Sequence, residues 1–88
     1  MTTVFLSSFL NDVKKLRDGK VQRAITAAIE NVEAADGTDG IRSLKRLSGQ
    51  ANHYRIRIGD WRIGLQVSGD TVTFVRCLHR REVYRYFP

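Results

Sequence analysis

Eighty-eight residues, a formal net charge of +6, one cysteine and two histidines set the first limits on this protein. The length suits a single domain over residues 1–88 and excludes a second one, a lone cysteine cannot close an internal disulfide, and two histidines without a cysteine cluster offer no metal-site spacing, so no cofactor is expected. No apolar run approaches the roughly 20 residues of a membrane span, and the N-terminus has no signal-peptide pattern, so a cytoplasmic protein without a membrane partner is expected.

In chain order, TTVFL (residues 2–6) predicts a short first strand, with Ser7 or Ser8 placed to cap the helix that follows. Phe9, Leu10, Val13 and Leu16 form one helical stripe ending near Gly19. Val21, Ile25, Ala28, Ile29 and Val32 form a second over about residues 20–35. A short link at Asp18-Gly19 makes the two a helical hairpin that covers one face of a sheet. DGTDG (36–40) reads as a loop, and IRSLKRLSGQAN leads into the strands with Leu44 and Leu47 as anchors.

Strands are then predicted over 54–58, 61–67 and 71–78, with Gly59-Asp60 and Gly69-Asp70 as tight turns. In HYRIRIGDWRIGLQV the period is two, so one face is apolar and the other carries Arg55, Arg57 and Arg62. A two-residue turn pairs Ile58 with Trp61 and sets Arg57 against Arg62, an arrangement that costs stability. A second two-residue turn pairs Val67 with Val72 and Leu65 with Phe74, which would send Arg76 into the core; a bulge, longer loop or strand end is expected there. Cys77 reads as a small buried strand residue, not a nucleophile. The tail HRREVYRYFP (79–88) is too short for an independent helix and must dock on the sheet. The class is α+β: an N-terminal strand, a helical hairpin, a three-stranded antiparallel meander forming one sheet, and a docked C-terminal segment.

Charge divides the chain. Residues 1–40 hold five Lys/Arg against six Asp/Glu, whereas residues 41–88 hold ten against three, a net +7 that suggests one polyanion-facing side, met by nucleic acid or an acidic protein. An anion between Arg57 and Arg62 would relieve their repulsion; the plain alternative is a solvated strand face kept soluble by arginine. Arg80, Arg81 and Arg85 follow the last strand, and Tyr84 falls four residues after Arg80, so one helical turn would put both on one side. A tyrosine there can stack on a base, move a proton or anchor the tail.

The combination LKRLSGQANHYRIRIGDWRIGLQV, then a strand, then HRREVYRYF, resembles the RelE/ParE superfamily of toxins from bacterial type II toxin–antitoxin systems over nearly the whole chain. The resemblance implies a RelE-like fold and, on the RelE branch, a metal-independent endoribonuclease that cuts mRNA in the ribosomal A site and so inhibits translation; the ParE branch shares the fold and poisons DNA gyrase. It implies that Arg62 contacts the scissile phosphate, that Arg80 stabilises the transition state or protonates the leaving group, and that Tyr84 stacks on a base beside the cut. Arg55 and Arg57 stand where the best-known RelE-type toxin has lysines, and arginine is a poor general base. For proton transfer the sequence offers His79, the preferred candidate, with His53 and Tyr84. Lys45, Arg46, Arg81 and His53 join Arg55 and Arg57 as RNA-binding candidates. The implied products are a 2′,3′-cyclic phosphate and a 5′-hydroxyl, and the implied partners are mRNA, the ribosome and a cognate acidic antitoxin. Two other readings are a gyrase-directed inhibitor and a non-catalytic RNA-binding module.

Overall fold

A computed structural model describes all 88 residues. Strand β1 (Thr2–Phe5) leads into helices α1 (Ser7–Lys14) and α2 (Gly19–Ala34). Strands β2 (Leu44–Arg46), β3 (His53–Ile58), β4 (Trp61–Ser68) and β5 (Thr71–His79) follow, and then a one-turn helix α3 (Val83–Tyr86). The five strands form one sheet in the order β1-β5-β4-β3-β2, with β1 parallel to β5 and the other neighbours antiparallel. The expected α+β class holds, but the meander has four strands. The three residues of β2 are too few to show a period of two, and pairing of Lys45 with Arg55 makes them a strand.

The β3–β4 register is the expected one, with Ile58 opposite Trp61 and Arg57 opposite Arg62. Gly59 and Gly69 have φ of 56° and 58°, a left-handed backbone that a side chain would strain. The expected bulge is also present. Leu65 pairs with Phe74 but Gly64 pairs with Arg76, so Val75 is the extra residue in β5. Beyond it the alternation is inverted: Cys77 enters the core opposite Ile63, and Leu78 falls opposite Arg62.

Helix α1 serves the bulge. Ser8 Oγ donates to the Val75 carbonyl at 2.6 Å, and Asp12, one turn on, accepts from the Cys77 amide at 3.0 Å and from Arg76 Nε at 2.7 Å. The serines therefore do not cap: Leu6 holds the N-cap position, Ser7 begins the helix, and Ser8 is committed to the bulge. Helix α1 also stops at Lys14, short of Gly19, and Asp18 caps α2 by accepting from the Lys20 amide.

The helical hairpin covers one sheet face with a cluster of thirteen buried residues, among them Phe9, Ile25, Val32, Ile63, Leu65, Val72 and Phe74. Each fully buried large side chain there contributes about 1.5–3 kcal/mol. Leu10 departs from its predicted stripe and is 53 % exposed. On the opposite face, Leu47, Leu78, Val83 and Phe87 form a small cluster that docks the tail. Val83 and Phe87 are one helical turn apart, which gives so short a segment its single turn.

Candidate active site

The face opposite the helical hairpin carries the charge. Across its ladders Lys45 on β2 lies opposite Arg55 on β3, Arg55 opposite Gly64 on β4, and Arg57 opposite Arg62. Gly64 admits the tail: a Cβ there would stand 2.7 Å from the Phe87 ring, so only glycine lets Phe87 lie on the sheet beside the arginines.

Arg62 is half-buried, and its Nη1 turns back to donate to the carbonyls of Gly59 at 2.7 Å and Trp61 at 2.9 Å. Burial pushes the pKa of its guanidinium below the ordinary arginine value; the positive charges of Arg57, Arg55 and, more weakly, Arg80 push the same way, against an opposing pull from Tyr84. These four groups are thus electrostatic neighbours of Arg62. Arg55 donates from Nη1 to the Ser43 carbonyl at 3.1 Å, while its Nε is buried with no partner. Only two ion pairs form in the molecule, Arg76 with Asp12 at 2.7 Å and Arg80 with Asp60 at 3.5 Å. The second is exposed on both sides and is worth little. Arg55, Arg57 and Arg62 therefore share a face on which no carboxylate answers them.

The tail completes the face. The Arg80 amide donates to the Asp60 carbonyl at 2.7 Å, holding the exit from β5 against the β3–β4 turn. Tyr84 follows the fully buried Val83 and is itself 64 % exposed. It borders a cleft of about 300 Å³ lined also by Lys45, Arg46, Leu47, Ser48, Gln50 and Pro88. Arg57, Arg46 and Arg81 are exposed.

The two histidines are placed differently. His53 lies on the arginine face beneath Phe87, with ring centroids 5.4 Å apart. Its Nδ1 donates to the Ala51 carbonyl at 2.7 Å and its Nε2 lies 3.0 Å from Gln66 Nε2, so both ring nitrogens are engaged. His79 is opposite Trp61, edge-on to its indole at 5.5 Å, in a cleft between α1 and the tail lined also by Asp12, Lys15, Arg76, Glu82 and Tyr86. Its Nδ1 accepts the Arg81 amide at 3.2 Å. The structure thus brings together Arg55, Arg57, Arg62, Arg80, Tyr84 and Lys45, and sets His79 apart from them. The bulge is responsible, because in an unbroken ladder His79 would have shared Arg62's face.

Sequence reasoning passed over Gly64 and Asp12. A glycine inside the otherwise regular pattern WRIGLQV was a readable sign of a close approach. Nothing local marked Asp12, whose partner Arg76 is 64 residues away.

A sheet with a helical hairpin on one face and clustered arginines with a tyrosine-bearing tail on the other defines a class, and the comparisons identify it. The family described as ParE toxin of type II toxin–antitoxin system, parDE, matches residues 4–84. Toxin RelE3 of Methanocaldococcus jannaschii is 37 % identical over the full length of both chains. The chain belongs to the RelE/ParE family of type II toxin–antitoxin toxins. Among solved structures it is similar to a chain of the RelB-RelE antitoxin–toxin complex from Methanococcus jannaschii, with a TM-score of 0.80 and 37 % identity over 97 % of this chain and 99 % of that one. A chain of the RelBE2 complex from Mycobacterium tuberculosis matches with a TM-score of 0.61 and 25 % identity over 90 % and 96 %. The YoeB dimer from Staphylococcus aureus, at 18 % identity and a TM-score of 0.71 over 90 % and 95 %, shares the fold. No helix of the chain is long and apolar enough to cross a membrane.

Proposed function

We propose that this toxin is a metal-independent endoribonuclease that cuts mRNA, in the ribosomal A site, and so stops translation. The observation that carries the reading is the convergence of Arg55, Arg57, Arg62 and Arg80 with Tyr84 on one face, where Arg62 is held below its ordinary pKa and no carboxylate faces the three strand arginines. Such a cluster is built for an anion that gains charge during reaction.

In the proposed reaction the ribose 2′-oxygen attacks the adjacent phosphorus and gives up its proton, the bond to the 5′-oxygen breaks, and that oxygen takes a proton. The ends are a 2′,3′-cyclic phosphate and a 5′-hydroxyl. Arg62 leaves the turn carbonyls for the scissile phosphate, Arg57 and Arg55 share the phosphorane charge, and Arg80 faces the leaving oxygen. The Tyr84 ring stacks on a neighbouring base, and its hydroxyl is the proton-transferring group on this face. His79 supports the tail through the Arg81 amide, and His53 holds the start of β3.

The cognate partner is proposed to be an antitoxin with an acidic segment over the arginines, as a net +7 across residues 41–88 favours. Its apolar anchors have a groove of about 750 Å³ between α1 and α2, lined by Phe5, Phe9, Leu10, Val13, Ile25 and Ile29. Two of the similar structures are themselves toxin–antitoxin complexes.

The match to the ParE family favours one second reading, a gyrase-directed inhibitor. Purified protein added to translating ribosomes, with mRNA 5′ ends mapped, separates the two. New 5′-hydroxyl ends at codons in the A site are expected; intact mRNA together with inhibited gyrase supercoiling would establish the second reading instead.

A further inference from the structure

We infer that Ser43 is a positioning residue for the arginine face, because a left-handed backbone at this residue aims its carbonyl at the Arg55 guanidinium; the inference rests on the proposed RNA-cleaving role of that face. Ser43 stands one residue before β2 and would continue the ladder opposite Arg57, since Leu44 is opposite Ile56. An extended residue there would exchange two backbone bonds with Arg57. Ser43 instead has a φ of 60° and keeps one, accepting the Arg57 amide at 3.3 Å. The same oxygen accepts Arg55 Nη1 at 3.1 Å, so a single carbonyl ties down two arginines of the neighbouring strand.

The residue type does not account for this conformation. A positive φ crowds Cβ against the backbone, and asparagine tolerates it better than serine does. Two non-glycine residues of the chain adopt it, Asn52 at 63° and Ser43 at 60°, and only the first is suited to it. A strained residue held in place by its surroundings is a mark of a working site. What the strain secures is the half-buried Arg55 side chain, whose Nε is buried with no partner and whose guanidinium is held by the Ser43 oxygen. A carboxylate in that place would cancel the charge that a phosphorane needs. A carbonyl dipole orients the guanidinium and leaves its charge whole. Arg62 is held in the same manner by carbonyls of its own turn, whereas Ser43 reaches Arg55 from 12 residues away and so sets it independently of the β3–β4 hairpin.

The test separates geometry from catalysis. The buried Arg55 Nε–H should persist in proton–nitrogen correlation spectra at mildly alkaline pH, assigned by its absence from Arg55→Ala. Ser43→Val, β-branched and ill-suited to a positive φ, should lose that signal. The same variant should cleave RNA about tenfold more slowly in single turnover, while its affinity for a deoxy analogue lacking the attacking hydroxyl changes by less than about threefold. Ser43→Asn, which accepts the left-handed backbone, should restore the signal and the rate together. In an Arg55→Ala background, Ser43→Val should add less than about a twofold loss of rate. If Ser43→Val does not fold, the milder Ser43→Thr takes its place, with smaller losses of the same kind. An Arg55 signal that survives the β-branched substitution overturns the inference. So does a loss of rate that is equally large without Arg55, which would make Ser43 a residue of the fold alone. If the parent cuts no RNA, the nuclease reading fails and the spectra alone decide the role of Ser43. A parent that cuts RNA, with an Arg55 signal indifferent to position 43, keeps the nuclease and removes the positioning role.

Discussion

Two arginine sites on one sheet treat charge in opposite ways. Where the bulge turns Arg76 out of the core at the α1 end of β5, Asp12 of α1 meets it at 2.7 Å, and the bond to that carboxylate raises its pKa. At the other site Arg57 is set directly against Arg62, with Arg55 beside them, and Arg62 finds only backbone carbonyls. The helical face has thirteen buried residues in its core, the arginine face four. Stability is concentrated where charge is neutralised, and the uncompensated charge stands where little stability depends on it. A sheet edge or loop could not hold three guanidinium groups so close; a strand pair backed by a full core can.

If that division is right, removing Arg62 has the largest effect on activity and almost none on folding. Arg62→Ala is expected to lower RNA cleavage by at least about 100-fold, the scale of losing one charge-stabilising donor. Its unfolding free energy in urea should stay level or rise by about a few tenths of a kcal/mol, since repulsion with Arg57 and Arg55 is relieved. A variant that is both active and destabilised would show Arg62 to be structural, and the contrast between faces would collapse.

Asp12→Ala should do the opposite. It strips Arg76 of its partner and the bulge of an acceptor for the Cys77 amide. A loss of about 2–3 kcal/mol in urea unfolding is expected, discounted because Arg76 keeps some contact with water. Tyr86 lies under Arg76, 5.8 Å from its guanidinium carbon to the ring centroid, so α3 should loosen as well. Faster hydrogen exchange in residues 83–87 than the global loss explains would show that coupling; a midpoint unchanged from the parent would mean that the bulge holds without α1.

These contrasts also mark how far the chain could be read from its residues. Gly59-Asp60 fixed the register of β3 and β4, because turn chemistry and a period of two are both local signals. The bulge was legible from Arg76 alone, since a regular ladder would have buried it. Its consequence was harder to see. One extra residue in β5 reversed the alternation, so Leu78 joined Arg62 and His79 turned away to Trp61. Ser8 was read as a cap candidate and Asp12 was passed over because their partners Val75 and Arg76 lie more than 60 residues away. Strand β2 has three residues, too few to carry a period, and the cleft beside Tyr84 joins segments that only tertiary packing brings together.

The smallest expected effect appears at alkaline pH and contrasts two perturbed groups on opposite faces. Cys77 is buried opposite Ile63, and burial, helped by the nearby Asp12 charge, pushes its thiol from 9.0 up to about 12. Arg62 is also pushed against its charge, yet an arginine cannot shed its proton at workable pH, so it can be relieved only by an incoming anion. The thiol answers the same pressure by staying neutral. Because its folded pKa lies above its unfolded one, the folded state holds the proton more tightly. The associated stability is complete below about pH 9 and declines as pH rises toward 12, by at most about 1.4 kcal/mol per unit. Other groups titrate in that range, so the comparison is between parent and Cys77→Ala. At pH 7 the variant should be less stable by the cost of a small cavity, and the gap should narrow by pH 10.5 as the parent alone loses the thiol's contribution. A gap that stays constant with pH would mean that the thiolate is tolerated in the core. The helical face would then be no more hostile to unpaired charge than the arginine face, and the contrast would rest on Asp12 alone.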